Sequence, residues 1–268
     1  MARLYPDPAV LLSDDRGINW SETRVPDIDT ALYQLVTDGR GVLVAVGAVK
    51  PTFGSNRLVI ARSGDSGRTW KTAMNEPADH LTCSPRLIGQ VNAALMAYNP
   101  CRASGKRYYL SNDGGHNWVA RVFGPGRGAF ELVGDVGGGR WVALSQEGPN
   151  RALFAWTTDN GGEDWRGQST GIAVRSGNLW LHMQTIVVLP GGIVLAYIGD
   201  GQLLRSEDRG ASWGVVDTGL PSGLTLFMST ACTSSKLIVV LAGNNGTVLR
   251  SIDAGLTWQQ GRMAESPP

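Results

Sequence analysis

One short motif recurs six times along the 268-residue chain, and it constrains the fold more than any other feature. Each copy has a hydroxyl residue, then Asp two positions later, Gly two positions after that, and a closing Trp. The leading residues are 50, 48, 46, 49 and 45 positions apart. Such a period predicts one structural unit per repeat, because self-similarity at about 20–50 residues is typical of repeat folds. The copies occupy 13–20, 63–70, 111–118, 157–165, 206–213 and 251–258, the fourth with one extra residue.

The motif predicts a tight turn between two antiparallel strands. Its Asp can accept hydrogen bonds from backbone N–H groups of the same turn, its Gly tolerates a positive φ, and its Trp can cover the turn. The residues concerned are Asp15, Asp65, Asp113, Asp159, Asp208 and Asp253, with Trp20, Trp70, Trp118, Trp165, Trp213 and Trp258. We interpret them as structural, since a carboxylate bound to its own backbone is not available for acid or base catalysis.

Apolar segments precede the motif copies. A short strand such as Leu58–Ser63 leads into each copy, and upstream of all but the first lies a nearly continuous apolar run such as Val42–Gly47. Such runs are typical of strands that are buried on both faces. Trp141, Trp156 and Trp180 lie outside the motif and are predicted core residues. The sequence shows no amphipathic helix, and the 36 glycines are spread over the chain as many tight turns require.

The repeat resembles the Asp box of bacterial neuraminidases, and the segment 243–258 is similar to the repeats of the photosystem II assembly and stability factors. The resemblance covers residues 9–262. It implies an all-β fold, a β-propeller with four-stranded antiparallel blades, in which the motif joins the third strand to the fourth. Six copies of the motif then predict a six-bladed propeller in a single domain, residues 1–268, with five full blades.

The N-terminal blade is expected to be incomplete. Only 12 residues precede the first motif, which leaves room for a hairpin and at most one short strand from Ala2 to Tyr5. Because an unpaired strand edge readily accepts another strand, we expect a protein partner or a second copy of the chain to complete this blade.

Charge and hydropathy exclude several classes of protein. The net charge of +1 does not favour nucleic acid or an anionic membrane as partner. No apolar run reaches the roughly 18 residues of a membrane-spanning helix, and the N-terminus lacks the apolar core of a signal peptide. We therefore expect a protein of the cytoplasm or of a virion. Cys83, Cys101 and Cys232 lack metal-site spacing, so neither a metal ion nor another cofactor is expected.

A sialidase-like glycoside hydrolase is one functional hypothesis. The resemblance implies for this activity an Arg cluster, a Tyr nucleophile with a Glu partner, and an acidic general acid. The nearest match to the family's Phe/Tyr-Arg-Ile-Pro motif is the segment 23–26, which follows the first Asp box, whereas the family motif precedes it. Glu131, Tyr33, Tyr98 and Tyr197 have no spacing that requires this chemistry. No catalytic residue is therefore predicted, and the hypothesis stays open.

A non-catalytic binding or structural module is the hypothesis that the sequence favours. In such a propeller, the loops opposite the Asp boxes commonly bind partners. The module would present them to a protein or a carbohydrate, either as a subunit of a larger assembly such as a phage tail or virion, or as a free assembly factor. The candidate contact residues are Lys50, Phe53, His80, Tyr98, Arg102, Arg127, Arg166 and Arg175.

Overall fold

The regular secondary structure of the described part of the chain is antiparallel β-strand, apart from one 3₁₀ turn at Pro190–Gly192. The structure is a computed structural model that describes residues 8–29, 31–49, 56–77, 84–99, 107–123, 132–147, 152–174, 186–198, 201–219, 226–232, 237–243 and 247–261. Within these ranges, no helix has the length and hydropathy that crossing a membrane requires.

The chain divides into two compact units, the first formed by residues 1–125 and 159–164. Three sheets lie in this unit, and in each of them every strand pairs antiparallel with the next strand in the chain. Sheet 1 comprises β1 (Ala9–Leu12) and β2 (Ser21–Arg24). Sheet 2 comprises β3 (Ala31–Thr37), β4 (Leu43–Val49), β5 (Arg57–Ser63) and β6 (Lys71–Pro77). Sheet 3 comprises β7 (Arg86–Gly89), β8 (Leu95–Tyr98), β9 (Arg107–Ser111) and β10 (Val119–Val122).

The second unit, formed by residues 126–158 and 165–268, contains three sheets of the same kind. Sheet 4 comprises β11 (Leu132–Gly137), β12 (Arg140–Glu147), β13 (Ala152–Thr158) and β14 (Arg166–Ala173). Sheet 5 comprises β15 (Ile186–Val188), β16 (Val194–Tyr197), β17 (Leu203–Ser206) and β18 (Gly214–Val216). Sheet 6 comprises β19 (Leu226–Cys232), β20 (Leu237–Gly243), β21 (Val248–Ser251) and β22 (Gln259–Gln260).

Burial falls from the second strand of a sheet to its fourth strand. In β8 and β16 every residue is buried, whereas most residues of β10 and β14 are exposed. The second strands are the continuous apolar runs of the sequence, which lose contact with water on both faces when sheets pack together. Removing that apolar surface from water is the main favourable contribution to folding.

In sheets 2–6 the strands predicted from the apolar runs coincide with the second and third strands. The prediction of four-stranded antiparallel sheets is confirmed for sheets 2–6 in the described residues, and this arrangement is consistent with a β-propeller. Sheet 1 has the two strands of the expected hairpin, and the segment Ala2–Tyr5 lies outside the described residues. Six blades and a single domain stay predictions.

Candidate functional site

Each sheet has an eight-residue turn between its last two strands, and the turn in sheet 2 shows the geometry clearly. The Ser63 hydroxyl donates to Asp65 Oδ1 at 2.8 Å and accepts the N–H of Gly67 at 2.8 Å. Asp65 also accepts the backbone N–H and the hydroxyl of Thr69, at 2.8 and 2.6 Å. The Trp70 indole donates to the carbonyl oxygen of Gly67 at 2.9 Å. The side chains of Ser63, Asp65 and Trp70 therefore all make hydrogen bonds inside their own turn.

Four further turns repeat this network. In each of them the Asp accepts the hydroxyl of the Ser two residues earlier and the backbone N–H four residues later, and the Trp indole donates to the Gly carbonyl. Their Asp residues are Asp15, Asp113, Asp208 and Asp253. We call the six segments box turns 1 to 6; they span 13–20, 63–70, 111–118, 158–165, 206–213 and 251–258.

Box turn 4 corrects the register that the sequence suggested. Asn160 Oδ1 accepts the N–H of Asp164 at 3.0 Å, as the Asp carboxylate does in the other turns. The Asn160 amide donates to Asp164 Oδ2 at 3.1 Å. The turn therefore begins at Thr158 and contains no insertion. Asn160 takes the place of the box carboxylate, because an amide oxygen accepts a backbone N–H as a carboxylate does. Asp159, predicted to be that carboxylate, occupies the variable position before it.

Backbone angles support the corrected register. The two residues at the tip of box turn 4, Gly161 and Gly162, have φ values of 66° and 90°. The tip residues of box turn 2, Ser66 and Gly67, have 62° and 85°. The eight-residue alignment therefore places the left-handed residues at equivalent positions in both turns.

Hydrogen bonds inside the box turns keep their carboxyl groups ionised. The hydroxyl and backbone N–H of Thr69 and the Ser63 hydroxyl lower the pKa of Asp65 from 3.8 to about 2. For Asp113, burial raises the pKa, but the hydrogen bonds from the backbone and amide of Asn117 outweigh it and lower the pKa to about 2. Hydrogen bonds to the charged form favour that form. These groups are consequently poor general acids near neutral pH.

A depression of about 430 Å³ lies at the end of sheets 1 and 2 opposite their box turns. This position follows from the strand pairing. The edge of the sheets far from the turns is where β1 begins and where β2 and β4 end. Val25 and Ile28 are buried at this depression, and Arg24, Asp27 and Asp29 are exposed. The lining residues are Pro8, Arg24, Val25, Pro26, Asp27, Ile28, Asp29, Val49 and Asn75. Apolar surface edged by a few charged groups is typical of a ligand site. We call it the loop-end depression.

Two sets of hydrogen bonds hold polar groups of the loop-end depression in place. The Thr72 hydroxyl donates to Asp27 Oδ2 at 2.6 Å, and Asp27 has a positive φ of 58°. Arg57 donates through Nε to Asn75 Oδ1 at 2.5 Å and through Nη2 to the Asn75 carbonyl at 2.6 Å. Side chains fixed in this way lose less conformational freedom when a ligand binds.

A second depression, of about 450 Å³, lies at the box-turn end of sheet 2. Arg62, Lys71 and His116 give it basic character, and Asp65 also lines it. Arg62 Nε donates to the carbonyl oxygen of Gly114 at 2.9 Å, which ties this Arg to box turn 3. We call it the basic depression. No local sequence pattern reveals it, because His116 joins Arg62 and Lys71 from a different sheet.

The structure describes two of the eight candidate contact residues. Tyr98 is the last residue of β8 and is buried, so it is part of the strand instead of a loop. Arg166 begins β14 directly after box turn 4, paired with Thr157, and thus lies at the box-turn end of its sheet. The expectation that Arg166 lies in a loop opposite the Asp boxes is therefore wrong, because Arg166–Ala173 is the fourth strand of sheet 4. Lys50, Phe53, His80, Arg102, Arg127 and Arg175 lie outside the described residues.

The loop-end depression was only partly foreseeable from the sequence. Three of its residues belong to the segment 23–26, the imperfect match to a neuraminidase motif, and the prolines at positions 8 and 26 indicate a fixed backbone. Val49 and Asn75 join it only through the pairing of sheet 2, which no local sequence pattern reveals.

Comparisons with known proteins find similarity of structure. No family model and no curated protein matches the sequence. YCF48 bound to a D1 peptide is similar with a TM-score of 0.61 and 21% identity, over 94% of this chain and 74% of that one. YCF48 from Cyanidioschyzon merolae is similar with a TM-score of 0.60 and 17% identity, over 90% of this chain and 73% of that one. An ancestral GH74 enzyme is similar with a TM-score of 0.59 and 12% identity, over 86% of this chain and 31% of that one. These likenesses support a fold of the β-propeller type for this chain.

Proposed function

We propose that this chain is a non-catalytic β-propeller module that binds a segment of a partner polypeptide at the loop-end depression. The depression is the observation on which the proposal rests. It offers apolar surface from the partly exposed Pro8, Pro26 and Val49 for a side chain of the partner. The exposed Arg24 and Asp29 beside this surface supply charges of both signs, which suits a peptide that carries charged groups or free backbone N–H and C=O groups.

The structural similarity to YCF48 supports a polypeptide as the partner. YCF48, to which this chain is similar, is recorded with a D1 peptide bound. Because fold similarity alone does not transfer a function, the analogy adds to the proposal only together with the depression.

The chemistry of the described carboxyl groups favours binding over glycoside hydrolysis. A glycosidase of the usual type needs a carboxylic acid with a raised pKa as its general acid. Among the described residues, every carboxyl group with a shifted pKa is shifted downward: Asp15, Asp38, Asp65, Asp113, Asp208 and Asp253. Burial also raises the pKa of Tyr33, which makes it a weaker candidate nucleophile.

Selection from a library of random short peptides displayed on nucleic acid tests the proposal. We expect enrichment of related peptides that bind the full chain, and no release of sugar from sialyllactose or xyloglucan oligosaccharides incubated with the same preparation. Glycan binding without peptide binding would contradict a polypeptide partner and indicate a carbohydrate ligand. Turnover of a sialoside that is lost in Arg24→Ala would contradict the proposal and establish a hydrolase.

Membership of a larger assembly, such as a phage tail or another virion, is a further part of the proposal, and a free assembly factor is its alternative. The native mass of the purified chain, alone and with a selected peptide, distinguishes them. A subunit is expected to form defined multimers, whereas a free factor forms a one-to-one complex with the peptide.

A further inference from the structure

The basic depression holds two cations that lie opposite each other on paired strands. In sheet 2, Arg62 of β5 is the direct partner of Lys71 of β6, and both line the depression. Like charges at directly opposite positions destabilise a sheet. Within the described part of the chain, neither side chain has a carboxylate at ion-pair distance. The depression therefore concentrates positive charge that has no ion-pair partner.

The corresponding positions of the other sheets lack this pair of cations. The residue before each box turn and the residue after it are strand partners in every sheet. In the described residues of the other five sheets the partners are Leu12–Ser21, Leu110–Val119, Thr157–Arg166, Arg205–Gly214 and Arg250–Gln259. At most one member of each of these pairs is charged. The opposed cations are therefore a property of sheet 2 and not a requirement of the box turn.

Sheet 5 shows how the chain neutralises an Arg at the same position. Arg205 Nε donates to the Ala254 carbonyl oxygen at 3.0 Å, and Arg205 Nη1 donates to Glu207. Arg62 has the same tether, because its Nε donates to the Gly114 carbonyl oxygen at 2.9 Å. The carboxylate of Glu207 therefore marks where an anion lies beside an Arg held in this way.

Gly64 occupies in sheet 2 the position that Glu207 occupies in sheet 5. Each is the second residue after its Arg and the second residue of its box turn. A Cβ atom built on Gly64 would lie 3.4 Å from Arg62 Nη1, so this nitrogen is next to the backbone from which a Glu would extend. Because Gly64 has no side chain, the space beside Nη1 stays open as part of the depression. Sheet 2 thus keeps the tethered Arg without the carboxylate.

The carboxylate that does line the depression is used elsewhere. Both oxygens of Asp65 accept hydrogen bonds inside box turn 2, from Ser63 and Thr69. Asp65 therefore lowers the local positive potential without pairing with either cation. The described residues provide no acceptor for Arg62 Nη1 or for the Lys71 ammonium group, which leaves these donors available to a ligand.

We propose that the basic depression binds a small free acid, whose carboxylate lies against Arg62 Nη1 as Glu207 lies against Arg205, with Lys71 as the second cation. A planar guanidinium matches the geometry of a carboxylate, and hydrogen bonds between charged groups are stronger than neutral ones. The volume of about 450 Å³ is in the range of small-molecule sites. His116 of box turn 3 also lines the depression, and its ring N–H can donate to a second polar group of the acid.

Titration of the full chain with glutarate at constant ionic strength tests the proposal. The backbone amide NMR signals of Gly64 and His116 report binding, and we expect them to shift saturably in the wild type. Lys71→Ala removes an exposed cation, so we expect the dissociation constant to rise by about threefold or more. The circular dichroism of each variant establishes that it is folded.

Gly64→Glu gives sheet 2 the carboxylate of sheet 5. The φ of Gly64 lies outside the left-handed region, so a side chain there does not strain the backbone. We expect the dissociation constant for glutarate to rise by at least about tenfold, because the new carboxylate occupies the site. Arg250→Ala is the matched control and should leave it unchanged, since Arg250 is the exposed cation at the equivalent position of sheet 6 and pairs with the neutral Gln259.

A tetrapeptide of glutamate with blocked termini, titrated in the same way, identifies the source of the carboxylate. We expect it to bind more weakly than glutarate. Binding of the tetrapeptide without binding of glutarate would assign the site to an acidic polypeptide and overturn the proposal. Inorganic phosphate that binds at least about tenfold more tightly than glutarate would also overturn it, since the ligand would then be a phosphate.

Three further results contradict the proposed site. They are a wild type without saturable shifts, an affinity for glutarate that Lys71→Ala and Gly64→Glu leave unchanged, and an equal loss of affinity in Arg250→Ala. The basic depression and the loop-end depression share no lining residue, so binding of the acid and binding of a peptide can fail separately.

Discussion

Asn160 and Asp164 close box turn 4 with amide and carboxylate exchanged relative to Asp15 and Asn19 of box turn 1. The Asn160 amide donates to Asp164 Oδ2 at 3.1 Å, whereas in box turn 1 the Asn19 amide donates to Asp15 Oδ2 at 2.6 Å. Both arrangements pair one amide donor with one carboxylate, so the turn requires the pair and not a particular order.

The exchange predicts how box turn 4 responds to substitution. Asn160→Asp places a second carboxylate beside Asp164, and we expect it to lower the free energy of unfolding by about 1–2 kcal/mol at neutral pH. Adding Asp164→Asn restores the arrangement of box turn 1 and is expected to recover the loss to within about 0.5 kcal/mol. Urea unfolding of the single and double variants measures this coupling. Strictly additive effects of the two changes would contradict the corrected register.

The box carboxylates predict a loss of stability in acid. Asp15, Asp65, Asp113 and Asp253 have pKa values lowered from 3.8 to about 2 in the folded chain. A lowered folded pKa stabilises the fold above the unfolded value, and this stabilisation disappears as the pH falls through the folded value. The urea midpoint is therefore expected to fall between about pH 4 and pH 2.

The variant Asp65→Asn measures the contribution of one box carboxylate to stability. Asp65→Asn is expected to be less stable than the wild type at pH 5, and the difference should narrow as the pH falls toward 2, where Asp65 becomes protonated in the wild type. Urea midpoints of both proteins along the same pH series provide the measurement. A difference that stays constant over the series would show that the ionised carboxylate does not stabilise the turn.

The close packing at Gly167 predicts that β14 does not tolerate a side chain at this position. A Cβ atom at this position would lie 2.3 Å from the Trp156 ring, whose indole donates to the Ser145 hydroxyl at 2.9 Å. We expect Gly167→Ala to lower the free energy of unfolding by about 1–3 kcal/mol, because the ring must move. Gly214→Ala is the matched control at the start of β18, where nothing lies within 4 Å of the new atom. Equal thermal stability of the two variants would contradict the packing of Trp156.

Local sequence patterns predicted the strands because each pattern corresponds to a local physical requirement. The apolar run at 42–47 is buried as β4, and Trp141 is 1% exposed as predicted for a core residue. Trp156 is only partly buried in β13, and Trp180 lies outside the described residues. The 157–165 register is wrong because the motif is defined by an Asp, whereas in this turn the amide oxygen of Asn160 accepts the backbone N–H.

The candidate site was less predictable, since it depends on pairing between distant residues. Arg166 is predicted to lie in a loop opposite the Asp boxes, but backbone pairing with β13 places it in a strand, at the box-turn end. Tyr98 was assigned to a loop one residue too early, because the end of β8 is fixed by its partner β9. Neither the loop-end depression nor the basic depression is visible before sheets 1, 2 and 3 are assembled.

The claim that the loop-end depression binds a polypeptide is tested most directly by titrating a library-selected peptide against the full chain. We expect Arg24→Glu and Val49→Asp to raise the dissociation constant, measured by fluorescence polarisation, by at least about tenfold. Val122→Asp, a control on a 72% exposed residue of β10, should leave it unchanged. Equal affinity of the wild type and all three variants would contradict the account.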